Sequence, residues 1–284
     1  MEILPEKVPK VSLLRGVVEW LVWRRKLSLY YQKYIIHHNI TFFLLFLSNL
    51  LPFYVWSKGT EVRYAGYDVF HYVALGLIYL LSVDYSLEFA GRLRRLKEEG
   101  ELEIVISSRG GVLRFLIYSL ADSCAQSMIF VLIVLTISGL LDRSLISSTT
   151  FTSILASSII LLLASVGWFG LGLMMDAPFL IWEQKGRPAT ILLLLTGVFG
   201  EIYFPLENLS SRLGEIGVFV PPILFIRCFR QAFFIDNARS SYRIFLLIGI
   251  SGCLALSLLM IGFLSAFKTL ELARKQGRTG RYTF

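Results

Sequence analysis

The sequence predicts an all-α, polytopic membrane protein with six transmembrane helices. Three observations carry this. Hydrophobic residues make up 55% of the 284 positions, the mean hydropathy is +0.66, and only 17% of residues are charged, well below the share usual in soluble domains. Several apolar runs reach the ~20 residues a helix needs to cross a bilayer core. The ~10-residue alternating segments of a transmembrane barrel are absent.

The first 33 residues read as a cytoplasmic, interfacial segment. Leu13, Leu14, Val17, Val18, Leu21 and Val22 recur at helical spacing among Arg and Lys, the pattern of a basic amphipathic helix lying in the headgroup plane. It serves either as a topology anchor or as an elbow passing force into the first span. Seven cations precede any span and no clean apolar core is present, so the segment is not a signal peptide. His37 and His38 sit where the chain should enter the bilayer. Adjacent histidines diverge on a helix and make a poor metal pair.

The membrane domain is expected over residues 34–267, with a basic cytoplasmic tail at 268–284. Full spans are expected at 34–56, 67–90, 112–141, 151–182 and 242–267, with a broken fifth hydrophobic region over 188–236. Twenty of the 28 Lys and Arg fall on one face of this layout, which places both termini in the cytoplasm of a cell-membrane protein. The two loops expected outside, 57–66 and 142–150, are too short for a domain. A net charge of +8 then reflects cytoplasmic loops, and nucleic acid is not an expected partner. Cys124, Cys228 and Cys253 have no disulfide or metal spacing and read as small apolar fillers.

Between the second and third spans lies "RLRRLKEEGELEIVISSRGG", residues 92–111. Glu98, Glu99, Glu101 and Glu103 form an acidic centre between basic ends. Gly100 can cap or break a helix there. The run "LEIVIS" that follows is an apolar patch in need of a cover. Either the loop is solvated and only sets topology, or it is a protein-docking surface. The carboxylates beside an apolar patch favour docking.

The region 188–236 is the second departure from a plain span. The eleven-residue, mostly apolar run from Ala189 to Phe199 suffices for half a bilayer. Gly200, Glu201 and Pro205 follow, and a second piece, 216–229, is interrupted by Pro221 and Pro222. Non-helical backbone at membrane depth survives only when buried in protein or lining a wet cavity, and short Gly/Pro-interrupted segments point to a transport path. Glu201, with few cations near it in sequence, is the foremost single candidate for a functional carboxylate.

Ser119, Asp122, Ser123, Gln126 and Ser127 recur on one face of the third span. An Asp at the centre of a lipid-facing helix costs about 2.5–3.5 kcal/mol on insertion scales, so this stripe faces protein or water. Helix–helix adhesion and a pathway lining are both open. Asp84 and Glu88 form a like-charged i, i+4 pair and call for cations such as Arg92 or Arg114. Gly167, Gly170 and Gly172, and Gly249 with Cys253, are expected at close helix contacts.

Two of these stretches resemble the permeases of the ATP-binding-cassette type-2 exporter family. The loop Glu98-Glu99-Gly100-Glu101-Leu102-Glu103, followed by Ile104 to Ile106 and Ser107, is similar to that family's Glu-x-Gly-Thr-x-Glu loop. Glu101 stands where the family has Thr, and Arg109 where Pro is common. The stretch Gly197-Val198-Phe199, Phe204-Pro205-Leu206-Glu207-Asn208-Leu209, Ile216, Pro221 and Phe229-Arg230 resembles the family's signature region. Ile223-Leu224 replaces its Thr-Tyr, and Arg227 stands where an acid is common.

The resemblance implies that Glu98, Glu99, Gly100, Glu103 and Ser107 belong to a coupling helix seated on a separate ATPase subunit, which binds ATP and Mg. It implies that Glu201, Phe204, Pro205, Glu207, Asn208 and Pro221 belong to re-entrant helices at the outer mouth, placing the nearby arginines at headgroup level. It also implies a second permease copy or homologue and an export direction. Neither a phosphate-binding Gly-x-x-x-x-Gly-Lys-Ser/Thr loop nor a zinc-protease or serine-hydrolase motif occurs, so no catalytic centre or cofactor is expected in this chain. The alternative is a nucleotide-independent transporter or channel with Glu201 or Asp122 as its ion or proton site.

Overall fold

A computed structural model describes residues 40–41, 44, 46–59, 63–64, 67–107, 111–147, 149–181, 188–208, 210, 212, 220–234 and 240–277. The N-terminal amphipathic segment, His37, His38 and the last residues of the tail lie outside these. The chain divides into two compact units, Met1–Ser48 and Asn49–Phe284. All contacts that follow concern the second.

Residues 49–59 are helical (α1). A two-residue hairpin, β1 (Arg63–Tyr64) against β2 (Tyr67–Asp68), then turns the chain into α2 (Val69–Ala90). Asp68 caps α2 by accepting from the Phe70 amide at 2.8 Å, which satisfies one of the orphan donors at a helix start. The remaining helices are α3 (Arg92–Glu99), α4 (Leu102–Ser107), α5 (Gly111–Leu141), α6 (Ser144–Ser147), α7 (Phe151–Asp176), α8 (Pro188–Phe199), α9 (Pro221–Phe233) and α10 (Ser240–Lys275). A 3-10 turn, Ala177–Leu180, extends α7, and another, Leu206–Asn208, lies between α8 and α9.

Among the described residues, four helical stretches are long and apolar enough to cross a membrane: Val69–Glu99, Gly111–Leu141, Phe151–Leu180 and Tyr242–Lys275. The chain is an all-α membrane protein. Of the expected first span, 34–56, residues 40–41, 44 and 46–56 are described and are helical. The second runs past its expected end, because Gly91 keeps helical angles (φ −70°, ψ −3°) and α3 continues the line of α2. The last span likewise runs on to Lys275.

Helix α2 is the axis of the bundle. Of its 22 residues, 18 are buried, so it reads as apolar on all sides, as a helix enclosed by others must. Helices α5 and α7 flank it, and α7 packs most extensively against α10. Leu132, Leu140, Phe245, Leu256, Met260 and Leu264 on α5 and α10 are exposed, as expected of faces turned to lipid.

Small residues set the packing distances. A Cβ on Gly262 would lie 2.2 Å from the Gly170 carbonyl oxygen, and one on Gly172 would lie 2.7 Å from the Ala90 Cβ. Gly167 makes room for the Phe225 ring. The expectation for Gly249 and Cys253 is corrected: nothing lies within 4 Å of a Cβ on Gly249, and Cys253 is exposed. The tight contact on α10 is at Gly262, three turns further on.

Interhelical polar contacts tie α2 to its neighbours. Ser82 and Ser165 share a 2.6 Å hydrogen bond, and the Trp168 indole donates to the Tyr79 hydroxyl at 2.8 Å. Lys58 on α1 lies 3.6 Å from Asp142 at the end of α5. The hairpin and the α5–α7 connection therefore share one end of the bundle, and α3, α4 and the Ala177–Leu180 turn occupy the other.

Candidate functional site

Two places in the bundle depart from plain span packing. The first is the α3–α4 elbow. Leu93 and Leu96 of α3 turn inward, and so do Arg94 and Lys97. Lys97 is only 1% exposed and donates its ammonium to the Leu180 carbonyl. Arg95 reaches back to α2, bonding the Glu88 carboxylate at 2.6 Å and the Glu88 carbonyl at 2.7 Å. Arg92 lies over the Phe89 ring and pairs with Asp122 of α5 at 3.1 Å. Asp176 at the end of α7 packs on Gly91, where a Cβ would come within 2.9 Å of its carboxylate.

This segment is therefore not a solvated loop. Its basic half is anchored to α2, α5 and the end of α7, since a buried cation persists only when paired and hydrogen-bonded. Arg95 pairs directly with Glu88, and Arg92, which bonds Asp122, lies near enough to act on the same carboxylate; Arg114 donates to Tyr118.

Gly100 then ends α3 in the left-handed region (φ 80°), which a residue without a Cβ adopts freely. The turn sends α4 off in a new direction. Glu98 pairs with Arg94 at 3.2 Å on α3 itself. Of the apolar run, Leu102 is buried, but Ile104 is 67% exposed, between exposed Glu103 and half-buried Val105. Glu99 and Ser107 are exposed too, and the Ser107 hydroxyl bonds carbonyls of its own turn. Ile104 alone of the apolar side chains in this run is exposed.

On α5, Ser119, Asp122, Ser123 and Ser127 are buried and Gln126 is half-buried. Ser123 donates to Ser86 of α2 at 3.3 Å, and Asp122 takes Arg92. Asp122 and Ser123 thus bond neighbouring helices, while the buried Ser119 and Ser127 hydroxyls have no hydrogen-bond partner among the described residues.

The second place is the break between α8 and α9. Helix α8 is 12 residues long and α9 is 13, so neither reaches the ~20 of a full span. Pro221 and Pro222 divide the apolar piece 216–229, and the helix begins at them. They occupy the first turn of α9, where a missing N–H costs nothing. Phe225 packs on Gly167 midway along α7, while Phe234, just past α9, stacks on Tyr67 of the hairpin at 4.4 Å. Helix α9 thus runs from the middle of the bundle to the hairpin end.

At the break, Glu201 has φ 55°, the one positive value among described non-glycine residues, a conformation that costs a non-glycine residue about 1–2 kcal/mol. Its side chain is 4% exposed. Both carboxylate oxygens are taken by Arg227 of α9, Oε2 by Nε at 2.9 Å and Oε1 by Nη2. Oε1 also accepts from the Leu206 amide at 3.4 Å. The exposed Glu207 carboxylate lies 3.4 Å from the same guanidinium. Few cations lie near Glu201 in sequence, and its partner Arg227 comes from 26 positions away.

Arg230, one turn along α9, is 3% exposed and enclosed by the bundle. Its Nη2 donates to the carbonyls of Tyr72 (3.0 Å) and Ile202 (3.1 Å), and its guanidinium stacks 3.4 Å above the Tyr72 ring. Its Nε and Nη1 have no acceptor. Gly76 admits the Ile202 carbonyl, which a Cβ there would meet at 2.3 Å. Pro205 is buried, Phe204 and Pro221 half-buried, and Asn208 exposed. Sequence reasoning met Arg227 as a departure from the family pattern and Arg230 as part of it, and paired neither with a partner. Two arginines one turn apart beside a helix break were the available signal.

Among the described residues no group of three or more His, Cys, Asp or Glu is placed to hold a metal ion. No protein-family model, curated protein or solved structure matches the chain.

Proposed function

We propose that the chain is the membrane-spanning permease subunit of an ATP-driven exporter of the ATP-binding-cassette type-2 kind. It works as a dimer with a second permease and two ATPase subunits that bind ATP and Mg. Both termini face the cytoplasm of a cell membrane, and the α3–α4 end is the cytoplasmic end.

The observation that carries this reading is the contrast within residues 92–107. The basic half is sunk into the bundle on α2, α5 and α7, while Glu99, Glu103 and Ile104 stand out from it. A charged, partly apolar surface on an anchored elbow is suited to receive a partner and to move the helices below it. The broken span at the other end supports a path with a gate.

The alternative, a nucleotide-independent carrier using Glu201 or Asp122 as an ion site, is less well supported. Both carboxylates are engaged by guanidinium groups, which compete with a transported cation.

The test is co-expression with candidate ATP-binding-cassette ATPases and purification in detergent. A stable complex whose ATP hydrolysis is lost in Glu99→Ala/Glu103→Ala, with the permease itself still monodisperse, supports the proposal. Failure of any ATPase to associate, with transport intact in the same variant, defeats it and moves attention to Glu201.

A further inference from the structure

We infer that Glu201, Arg227 and Arg230 form a two-position latch between the break and α9, and that the structure is in the latched position. The inference rests on the permease reading only for what the mouth admits. The latch itself follows from geometry.

Three features distinguish this cluster from a static ion pair. Glu201 is held in the left-handed region (φ 55°). Such strain persists only where the surroundings impose it, and here the bidentate grip of Arg227 on both oxygens is the restraint. Next, a second arginine lies three residues further along α9, hence on the same face one turn away. Arg230 is fully enclosed yet leaves Nε and Nη1 without acceptors, an arrangement that costs a buried charged donor more than a neutral one. A carboxylate would satisfy those donors, and the nearest candidate is Glu201, whose following residue already contributes its carbonyl to Arg230. Last, α9 is short and begins on Pro221 and Pro222, and its far end meets the hairpin through Phe234 on Tyr67 and α2 through Arg230 on Tyr72.

Displacement of the break against α9 by one helical turn, about 5.4 Å, transfers Glu201 from Arg227 to Arg230. The exchange releases Arg227 to solvent beside Glu207, which is already exposed, and it satisfies Arg230. Ratcheting by one turn is a recognised mode of switching between packed elements. The two positions exchange one charge-assisted pair for another, so a modest input from the opposite end of the bundle can tip the balance.

Cys228 reports on this directly. It follows Arg227 on α9 and is 5% exposed. The full chain carrying Cys124→Ala and Cys253→Ala is reconstituted in proteoliposomes and labelled with a membrane-impermeant maleimide. Slow labelling is expected with Glu201 and Arg227 intact. Glu201→Gln and Arg227→Gln should raise the rate about tenfold, as loss of a bidentate charged pair implies. The charge-swapped Glu201→Arg/Arg227→Glu protein should return toward the slow rate. Arg230→Met removes the alternative partner and should leave the rate low.

An unchanged rate in both Gln variants, or an equal rise in Arg230→Met, overturns the latch and leaves a static structural cluster. If Glu201→Gln does not fold, Arg227→Lys keeps the charge but loses the fork, and a rate no higher than the parent's overturns the inference equally. None of these readings depends on an ATPase, so the latch and the exporter proposal can fail separately.

Discussion

Gly170 and Gly262 meet backbone to backbone where α7 crosses α10, so close that a Cβ on Gly262 would stand 2.2 Å from the Gly170 carbonyl oxygen. Neither helix can yield without separating the pair. Gly262→Ala should therefore lower the melting temperature of the detergent-purified protein, by an amount corresponding to the ~1–3 kcal/mol typical of overpacking. Gly249→Ala, on the same helix with open space around it, should leave stability unchanged or raise it by up to about 1 kcal/mol through helix propensity. Equal effects at the two positions would contradict this crossing.

Asp122 and Arg92 hold α5 to the start of α3 at 3.1 Å in a buried setting. Asp122→Asn alone should cost about 1.5–3 kcal/mol, because it removes the charged acceptor of the Arg92 guanidinium. Arg92→Met/Asp122→Leu should cost clearly less than the two single changes added together. Unfolding curves for the four proteins give the coupling, and a value near zero would mean that the pair does not hold the elbow.

Lys97 anchors α3 on the Leu180 carbonyl from a fully buried position. Lys97→Met keeps the stem's bulk but removes the donor, leaving a carbonyl unsatisfied at about 1–3 kcal/mol. Protease cleavage near Gly100 should accelerate several-fold. Unaltered cleavage with a lowered melting temperature would place the loss elsewhere than α3.

Ile104 is 67% exposed on α4. Ile104→Glu should stay within about 0.5 kcal/mol of the parent in stability while sharply weakening ATPase capture. A complex unaffected by it would remove α4 from the docking surface.

Asp142 tests the hairpin end. Burial works to raise its carboxyl, but it is outweighed by the Ser144 hydroxyl at 2.6 Å and the Ser144 amide at 3.0 Å, with Lys58 adding attraction, so the group is held below the usual range. A depressed folded value contributes stability above the unfolded pKa of about 3.9, and that contribution is lost as pH falls through the folded value. The melting temperature should therefore drop between about pH 5 and pH 3 more steeply in the parent than in Asp142→Asn. Parallel curves would show that Asp142 contributes nothing to the linkage.

Much of the architecture was legible in the sequence because it depends on local properties. Long apolar runs must be helices in lipid, since every backbone group needs an internal partner. Gly100 and the Gly200-to-Pro205 stretch mark a turn and a break through backbone freedom and a missing donor, and the structure has both. The serine and aspartate stripe on α5 was readable as one buried face from its spacing alone.

Pairing was not readable, because it joins residues distant in sequence. Arg227 finds Glu201 across 26 positions, and Arg92 finds Asp122 across 30. Spacing on one helix cannot say which cation of Arg92, Arg94, Arg95 and Lys97 meets which acceptor, since the neighbours come from α2, α5 and α7. Gly249 and Gly262 are equally small in the sequence, and only the crossing point of two helices separates them. The sequence by itself determined an all-helical membrane chain with a charged elbow and one broken hydrophobic segment, because hydrophobicity and backbone chemistry act over a few residues. Only the tertiary structure decided that the basic half of the elbow is an anchor, that Glu201 is strained and clasped, and that Arg230 is buried with donors to spare. Those outcomes depend on which helices come to lie side by side.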